Sequence, residues 1–316
     1  MAKPAASGAT AVRPILKWAG GKRQLLPALR PFYPPAFNRY IEPFVGSGAV
    51  FLDLYNKGLL EGREVRLSDI NADLVGCYLA VRDAVENVID ELERLETGHA
   101  AGGPEHYYEV RNGRFNPLRR EVHAGDCPAD RYTPALAAML IYLNRAGFNG
   151  LFRVNSQGAF NVPAGRHASL RICDGANLRR LAAALRTPRL TLEVREVQDA
   201  LADAAAGDFV YLDPPYAPVS RTASFTSYTA EGFGQGRQET LQRGVIDLAV
   251  RGTHVLLSNS VAPEIAALYE DNAEARRAGL TACRVEARRA INSAAAGRGP
   301  VLEYLITNVP RAVPGS

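Results

Sequence analysis

The segment that most constrains this chain lies between Arg39 and Asp69. A short apolar run, Arg39–Phe44, enters Val45-Gly46-Ser47-Gly48; a helical pattern resumes over Ala49–Tyr55, and Val65–Ser68 then alternate up to Asp69. Strand, glycine loop, helix, strand and a terminal acid make up a nucleotide-binding half, with the acid about 20 residues past the loop, where it can accept ribose hydroxyls. The glycines let a ligand approach the backbone, and the helix behind them offers free N–H groups. No third glycine stands at the pyrophosphate position and no Gly-Lys-Ser or Gly-Lys-Thr phosphate loop occurs. Neither a dinucleotide nor a P-loop ATP site is expected.

The same alternation returns late in the chain. Strands are expected at Leu192–Val197, Phe209–Leu212, His254–Leu257, Arg284–Ile291 and Leu302–Thr307, and helices at Gln238–Val250 and Pro263–Tyr269. Strands alternating with helices predict one wound α/β sheet. Before the glycine loop, residues 1–14 read as a loose arm, and Gln24–Leu29 as a helix stopped near Pro31. Between the two α/β portions lies a mainly helical stretch. Asn71–Glu96 carry apolar residues at helical spacing, and residues 97–131 lose that pattern. A helix starts at Thr133-Pro134, an N-cap followed by a first-turn proline, and runs to about Arg145. Gly147–Gly165 read as loop with hairpin turn signals, and Asn177–Arg186 as helix. The expected division is 1–70 and 187–316 for the sheet, with 71–186 inserted.

Charge and cysteines narrow the class. The net charge is +4, from 37 basic and 33 acidic residues among 316, which permits a polyanionic partner without requiring one. From Asn144 to Arg180 the charge is nearly all arginine, with Asp174 the lone acid, and arginine suits phosphates and guanine edges. Cys77, Cys127, Cys173 and Cys283 form no CxxC pair, so no metal and no disulfide framework is expected. Met1–Ala11 lack the apolar core of a signal peptide, and stretches such as Ala135–Leu143 fall short of the ~20 residues that span a bilayer. A cytoplasmic protein without a membrane partner is expected.

The second strong signal is Asp213-Pro214-Pro215-Tyr216, directly after the apolar run Phe209–Leu212. Ligands of open α/β sheets bind at the carboxyl ends of strands. Two prolines remove two N–H donors and stiffen the turn. A carboxylate, acceptor carbonyls and an aromatic ring remain, a set suited to a planar group that bears an amino function.

In this order, Trp18–Lys22, Phe44–Gly48, Asp69 and Asp213–Tyr216 resemble the motifs of the amino-directed DNA methyltransferases. The central run Asn144–Asn155, continuing through Gly158–Arg166, resembles the Dam-type adenine-N6 methylases that act on GATC. The resemblance implies a wound mixed sheet of the Rossmann-like methyltransferase type with an inserted, mainly helical DNA-recognition domain. It implies S-adenosylmethionine as cofactor, held by Trp18, Lys22, Phe44, Gly46, Ser47, Gly48, Asp69 and Asp213. Catalysis would fall to Asp213, Pro214, Pro215 and Tyr216. Double-stranded DNA would meet Lys17, Phe148, Asn149, Leu151, Arg153, Asn155, Pro163 and Arg166, with Arg153 fitted to a guanine edge, and with Arg166, Arg179 and Arg180 to phosphates. Arg289–Ser293 with Arg298-Gly299 resemble the family's late catalytic loop. The chain departs from the family at His167, where an aromatic is frequent. A monomer is expected, and a partner restriction enzyme is compatible with the resemblance. The alternatives are a cytosine-N4 methyltransferase, whose amino group needs the same acceptors, and a DNA-binding protein with a decayed methylase site.

Overall fold

The computed structural model describes residues 11–18, 20–166, 170–217, 233–288 and 300–312. Seven strands form one sheet: β1 (Arg39–Glu42), β2 (Glu64–Asp69), β3 (Leu190–Val194), β4 (Phe209–Leu212), β5 (His254–Ser260), β6 (Thr281–Arg288) and β7 (Pro300–Thr307). Their order is β3-β2-β1-β4-β5-β7-β6. Strands β1 to β5 pair in parallel, while β7 runs antiparallel to both β5 and β6. This is the doubly wound 3-2-1-4-5-6 order with an antiparallel strand set between the last two. The mixed α/β sheet of the Rossmann-like methyltransferase type is therefore present.

The central strands β1, β4 and β5 are buried along almost their whole length because both faces of the sheet are covered. Successive side chains point to opposite faces. Tyr40, Phe209, Tyr211 and Leu256 join one core, while Ile41, Val210, Leu212, Val255 and Leu257 join the other. The first core continues without a break into the inserted helices through Leu74, Leu92, Leu140 and Leu178.

Several boundaries differ from the sequence reading. Asn71–Glu96 are two helices, Ala72–Asp83 and Val85–Glu109, broken at Ala84. Residues 97–123, expected to be irregular, stay helical: Val85–Glu109 bends at Gly103 beside Pro104, a π-type turn covers Val110–Phe115, and Asn116–His123 follow. The apolar face there is sparse but large, with Tyr107, Val110 and Phe115 fully buried. Strand β3 starts at Leu190, two residues early, and Val197–Ala202 is a helix. The Pro134–Ala146 helix has the expected cap, with Thr133 Oγ1 accepting from Leu136 N at 3.2 Å. His167 and the expected loop at Arg289–Ser293 and Arg298-Gly299 lie outside the described residues. Among the described residues no helix is long and apolar enough to cross a membrane.

One contact within the inserted helices is tight enough to test. A Cβ added at Gly76, inside Ala72–Asp83, would lie 2.6 Å from Tyr132 Cγ. Alanine there gains about 1 kcal/mol of helix propensity. Overpacking against a fixed ring costs about 1–3 kcal/mol. Gly76→Ala is expected to lower the urea midpoint, and an unchanged or higher midpoint would mean that Tyr132 gives way freely.

Candidate active site

Strand order reverses between β1 and β4, and the crevice at their carboxyl ends is where a wound sheet binds ligands. The glycine loop leaves β1 there and Asp213–Tyr216 leave β4. Trp18, Lys22, Glu42, Phe44, Gly46, Ser47 and Asp213 line one cleft between them. Gly48 and Asp69 stand behind that wall rather than on it. A larger open groove lies at the opposite end of the strands, lined by residues such as Arg39, Glu64 and Asp208, and it holds none of the expected site residues.

The loop conformation needs glycine at position 46. Its φ is +47°, and an added Cβ would lie 3.0 Å from the Trp18 ring. Its N–H donates to Asp69 Oδ2 at 3.1 Å, and its carbonyl accepts from Tyr78 Oη at 2.9 Å. Asp69 Oδ1 accepts from Asn71 N at 3.0 Å. Asp69 therefore pins the loop to the end of β2. Burial pushes its carboxyl up to about 6, against the pull of the N–H groups of Asn71, Gly46 and Ile70.

Asp213 meets a cation and a hydroxyl on one oxygen. Lys22 Nζ lies 2.8 Å from Oδ1, and Ser258 Oγ donates to the same atom at 3.0 Å. Among the described residues neither contact uses Oδ2. Burial raises the Asp213 pKa, and Lys22 and Ser258 offset part of that rise. Lys22 is itself only 5% exposed and stands 4.4 Å from the Tyr216 ring centroid. The phenol of Tyr216 donates to Glu303 Oε2 at 2.7 Å. From behind, Gln238 Nε2 donates to the Pro215 carbonyl at 3.0 Å, and Asn259 Nδ2 donates to Gln238 Oε1 at 3.2 Å.

The expected DNA-facing residues gather on a neighbouring surface. The segment from Gly147 to Ala164 doubles back, with antiparallel bridges at Gly147–Ala164 and Val154–Phe160. It is the anticipated hairpin. Phe148 is 43% exposed, and Pro163 and Arg166 are also exposed. Asn149 has a φ of +54°, and Leu151 is half-buried. Arg153 is exposed, with Nε donating to Asn161 Oδ1 at 2.7 Å and Nη2 to the Asn161 carbonyl at 3.4 Å. Asn155 builds the turn: its Oδ1 accepts from Gln157 N at 3.0 Å and Ala159 N at 2.9 Å. Lys17 packs over Gly150, and Asn144 locks the two together, bonding the Lys17 backbone in both directions at 2.8 Å and the Gly150 carbonyl at 2.9 Å. Arg179 is paired with Glu86 at 2.6 Å.

Residues 18–291 match the D12 class N6 adenine-specific DNA methyltransferase family. The chain belongs to that family. It is 34% identical over 302 residues to the Type II methyltransferase M1.LlaDCHI of Lactococcus lactis subsp. cremoris, covering 94% of this chain and 95% of the relative. It is 37% identical to the Type II methyltransferase M.MjaIII of Methanocaldococcus jannaschii, over 94% of this chain and 99% of the relative. The DNA adenine methylase of Serratia marcescens is 34% identical over 93% of this chain and 97% of its own length.

The cleft contains groups that the sequence reading missed. Ser258, Gln238 and Glu303 become partners of the Asp213–Tyr216 turn only through sheet pairing. Glu42 had a local signal, as an acid at the end of a buried strand. It is 2% exposed, and its Oε2 accepts from Tyr40 Oη at 2.8 Å and Phe51 N at 3.1 Å. Burial first, then the nearby Asp213 and Asp69 charges, push its carboxyl up to about 8, while the bonds from Tyr40 and Phe51 pull the other way.

The Glu42 shift sets a pH dependence. The unfolded chain releases this proton near the ordinary glutamate value of about 4.3, whereas the folded protein keeps it up to about 8. Between those values the native state binds more protons, so stability falls as pH rises, by up to about 1.4 kcal/mol per pH unit. Glu42→Gln removes this contribution. Unfolding curves from pH 4 to 9 are expected to show the wild type losing stability relative to the variant over that window. A constant difference would mean that Glu42 is ionised throughout.

Proposed function

We propose that this enzyme methylates N6 of adenine within GATC in double-stranded DNA, using S-adenosylmethionine and drawing the target base out of the helix. The observation that carries the reading is the meeting of Asp213–Tyr216 with the glycine loop at the β1/β4 crevice. The residues present fit the cofactor on two counts. Gly46 leaves open a cradle beside Trp18 that any Cβ would fill. The carboxylates of Asp69 and Asp213 flank the glycine loop at the ends of β2 and β4, where acceptors of this kind suit ribose hydroxyls and a ligand bearing positive charge. Trp18, Lys22, Phe44, Gly46, Ser47, Gly48 and Asp69 would hold it. When bound, S-adenosylmethionine supplies an electrophilic methyl group.

The chain's own residues then do the following. The adenine N6 lone pair is delocalised into the ring, so N6 is a weak nucleophile. Asp213 accepts one N6–H, with Oδ2 uncommitted among the described residues, and the Pro214 carbonyl accepts the other. These acceptors favour a pyramidal nitrogen as positive charge develops on it. Holding the amine in line for attack is an orientation effect. Asp213 need not be a strong base, because the methylated ammonium is acidic. Pro215 keeps the turn rigid, and Tyr216 stacks on the extruded base, a contact worth ~1–3 kcal/mol. Lys17, Phe148, Asn149, Leu151, Arg153, Asn155, Pro163 and Arg166 form the DNA-facing surface.

Asp213→Ala is expected to retain binding of S-adenosylmethionine and duplex while methyl transfer disappears. Transfer from labelled cofactor to a defined duplex, followed by nucleoside analysis, checks this and identifies the product. Near-normal turnover would remove Asp213 from the chemistry, and N4-methylcytosine in the digest would replace adenine as the target.

Arg153→Ala is expected to relax discrimination at one base pair by ~1–3 kcal/mol. Activity on GATC and each single-base variant, at two salt concentrations, decides the matter. Equal loss on all duplexes with a salt slope shallower by about one would make Arg153 a phosphate anchor.

A further inference from the structure

We propose that the helical segment Tyr107–His123 is a preformed cradle for the recognition hairpin, and that Asn116 and Arg119 are positioning residues for base readout. The inference rests on the reading of the hairpin as the base-contacting element. The hairpin's own pairing is discontinuous: two isolated antiparallel bridges, with backbone bonds from Phe148 N to the Pro163 carbonyl at 2.9 Å, Asn155 N to the Ala159 carbonyl at 2.9 Å and Asn161 N to the Arg153 carbonyl at 3.1 Å. Two-stranded hairpins of this kind are marginal in water. Its return arm, residues 158–162, also bonds to side chains of the helical segment.

Asn116 acts as a substitute strand. Its Nδ2 donates to the Phe160 carbonyl at 3.0 Å, and its Oδ1 accepts from Phe160 N at 2.8 Å. Phe160 is 1% exposed and packs against Phe115 and Phe152, each ring centroid 5.7 Å away. The next residue, Asn161, holds the Arg153 guanidinium. The direction of Arg153 is thus set through Asn161 and Phe160 by Asn116.

Arg119 lies three residues further along the same helix face. It donates to Asp73 from Nε at 2.9 Å and from Nη2 at 2.8 Å, and to the Gly158 carbonyl at the hairpin tip. Asp73 is 2% exposed and is also held by His123 Nε2 at 3.0 Å. It opens the helix that follows Asp69. Arg119 therefore ties the hairpin tip to the element beside the glycine loop. Arg111 Nη1 and Tyr107 Oη both donate to the Val162 carbonyl, at 2.8 and 2.9 Å.

A hairpin held in its reading conformation pays no ordering cost when it meets DNA. If only a fraction of molecules hold that conformation, apparent affinity falls by that fraction. The loss falls on the cognate duplex, because backbone contacts elsewhere do not need the hairpin in place.

The test uses the full chain with Asn116→Ala and Arg119→Gln, assayed on GATC and its single-base variants. Asn116→Ala removes two hydrogen bonds and uncovers no buried charge, so it keeps the proposal falsifiable even if Arg119→Gln, which strands Asp73, fails to fold. Asn116→Ala is expected to raise KM for the best duplex by about tenfold and to narrow discrimination by the same factor. Its kcat at saturating duplex and its affinity for S-adenosylmethionine stay at wild-type values. Wild-type discrimination in Asn116→Ala overturns the proposal. So does a fall in kcat with KM and discrimination unchanged, which marks a structural role alone. Arg153→Ala on the same duplexes reports separately on whether the hairpin arginine reads a base, so the two failures are distinguishable.

Discussion

A carboxylate at the end of a central buried strand must be partnered or it will take up a proton, and three such groups meet at the carboxyl ends of β1, β2 and β4. Glu42, Asp69 and Asp213 each find a different solution. Glu42 is pushed up to about 8 and is largely protonated at neutral pH. Asp69 is held by backbone N–H groups and so fixes the glycine loop. Asp213 faces Lys22 and Ser258. In the last arrangement the cation and the hydroxyl offset part of the rise that burial imposes on the Asp213 carboxyl. It also explains a lysine that is 5% exposed, since a buried ammonium needs an anionic partner.

The same economy joins the sheet to the inserted helices. Trp18 lies against Gly46 on one side and stacks on Phe152 on the other, with ring centroids 5.6 Å apart. Phe152 continues to Phe160, and Phe160 to Phe115. An aromatic file therefore runs from the glycine loop to the base of the hairpin. Asn144, 1% exposed, closes the same junction with paired hydrogen bonds to the Lys17 backbone. The segment that begins the chain's described portion is thus shared by the cleft and the hairpin surface. Their relative placement is set by packing within one core.

Much of this was legible in the sequence because it rests on local rules. The glycine loop, the acid that ends β2, the proline-stiffened turn after Leu212 and the Thr133 cap each follow from backbone chemistry within a few residues. What was illegible depends on residues far apart in the chain. Ser258 reaches Asp213 across two paired strands, and Glu303 reaches Tyr216 through an antiparallel strand that returns from the far edge. Residues 97–123 misled because their helix carries Gly103, Pro104 and few apolar positions. Some of its polar side chains, Arg111, Asn116 and Arg119, bond the hairpin backbone, while others such as Arg114 and Arg120 face water. Asn116 and Arg119 read as ordinary surface residues until Phe160 and Gly158 are placed beside them.

The arginines of the middle segment show why composition overstates a DNA-binding face. Arg145 is turned inward, donating to the Ile15 carbonyl at 3.3 Å and the Arg171 carbonyl at 3.2 Å, and burial lowers its pKa. Asp174 takes Arg13 at 2.8 Å and lies 3.7 Å from Arg171. Arg179 is engaged with Glu86, although an exposed pair of this kind is weak enough to exchange for a phosphate. Arg153 and Arg166 keep guanidinium edges on the hairpin surface. A groove that commits few of its arginines to phosphate gains less from counterion release, and its affinity varies less steeply with salt than the run of charge suggests. More of its selectivity must then come from where a small number of side chains are held. That is the condition under which a rigid support behind the hairpin matters most.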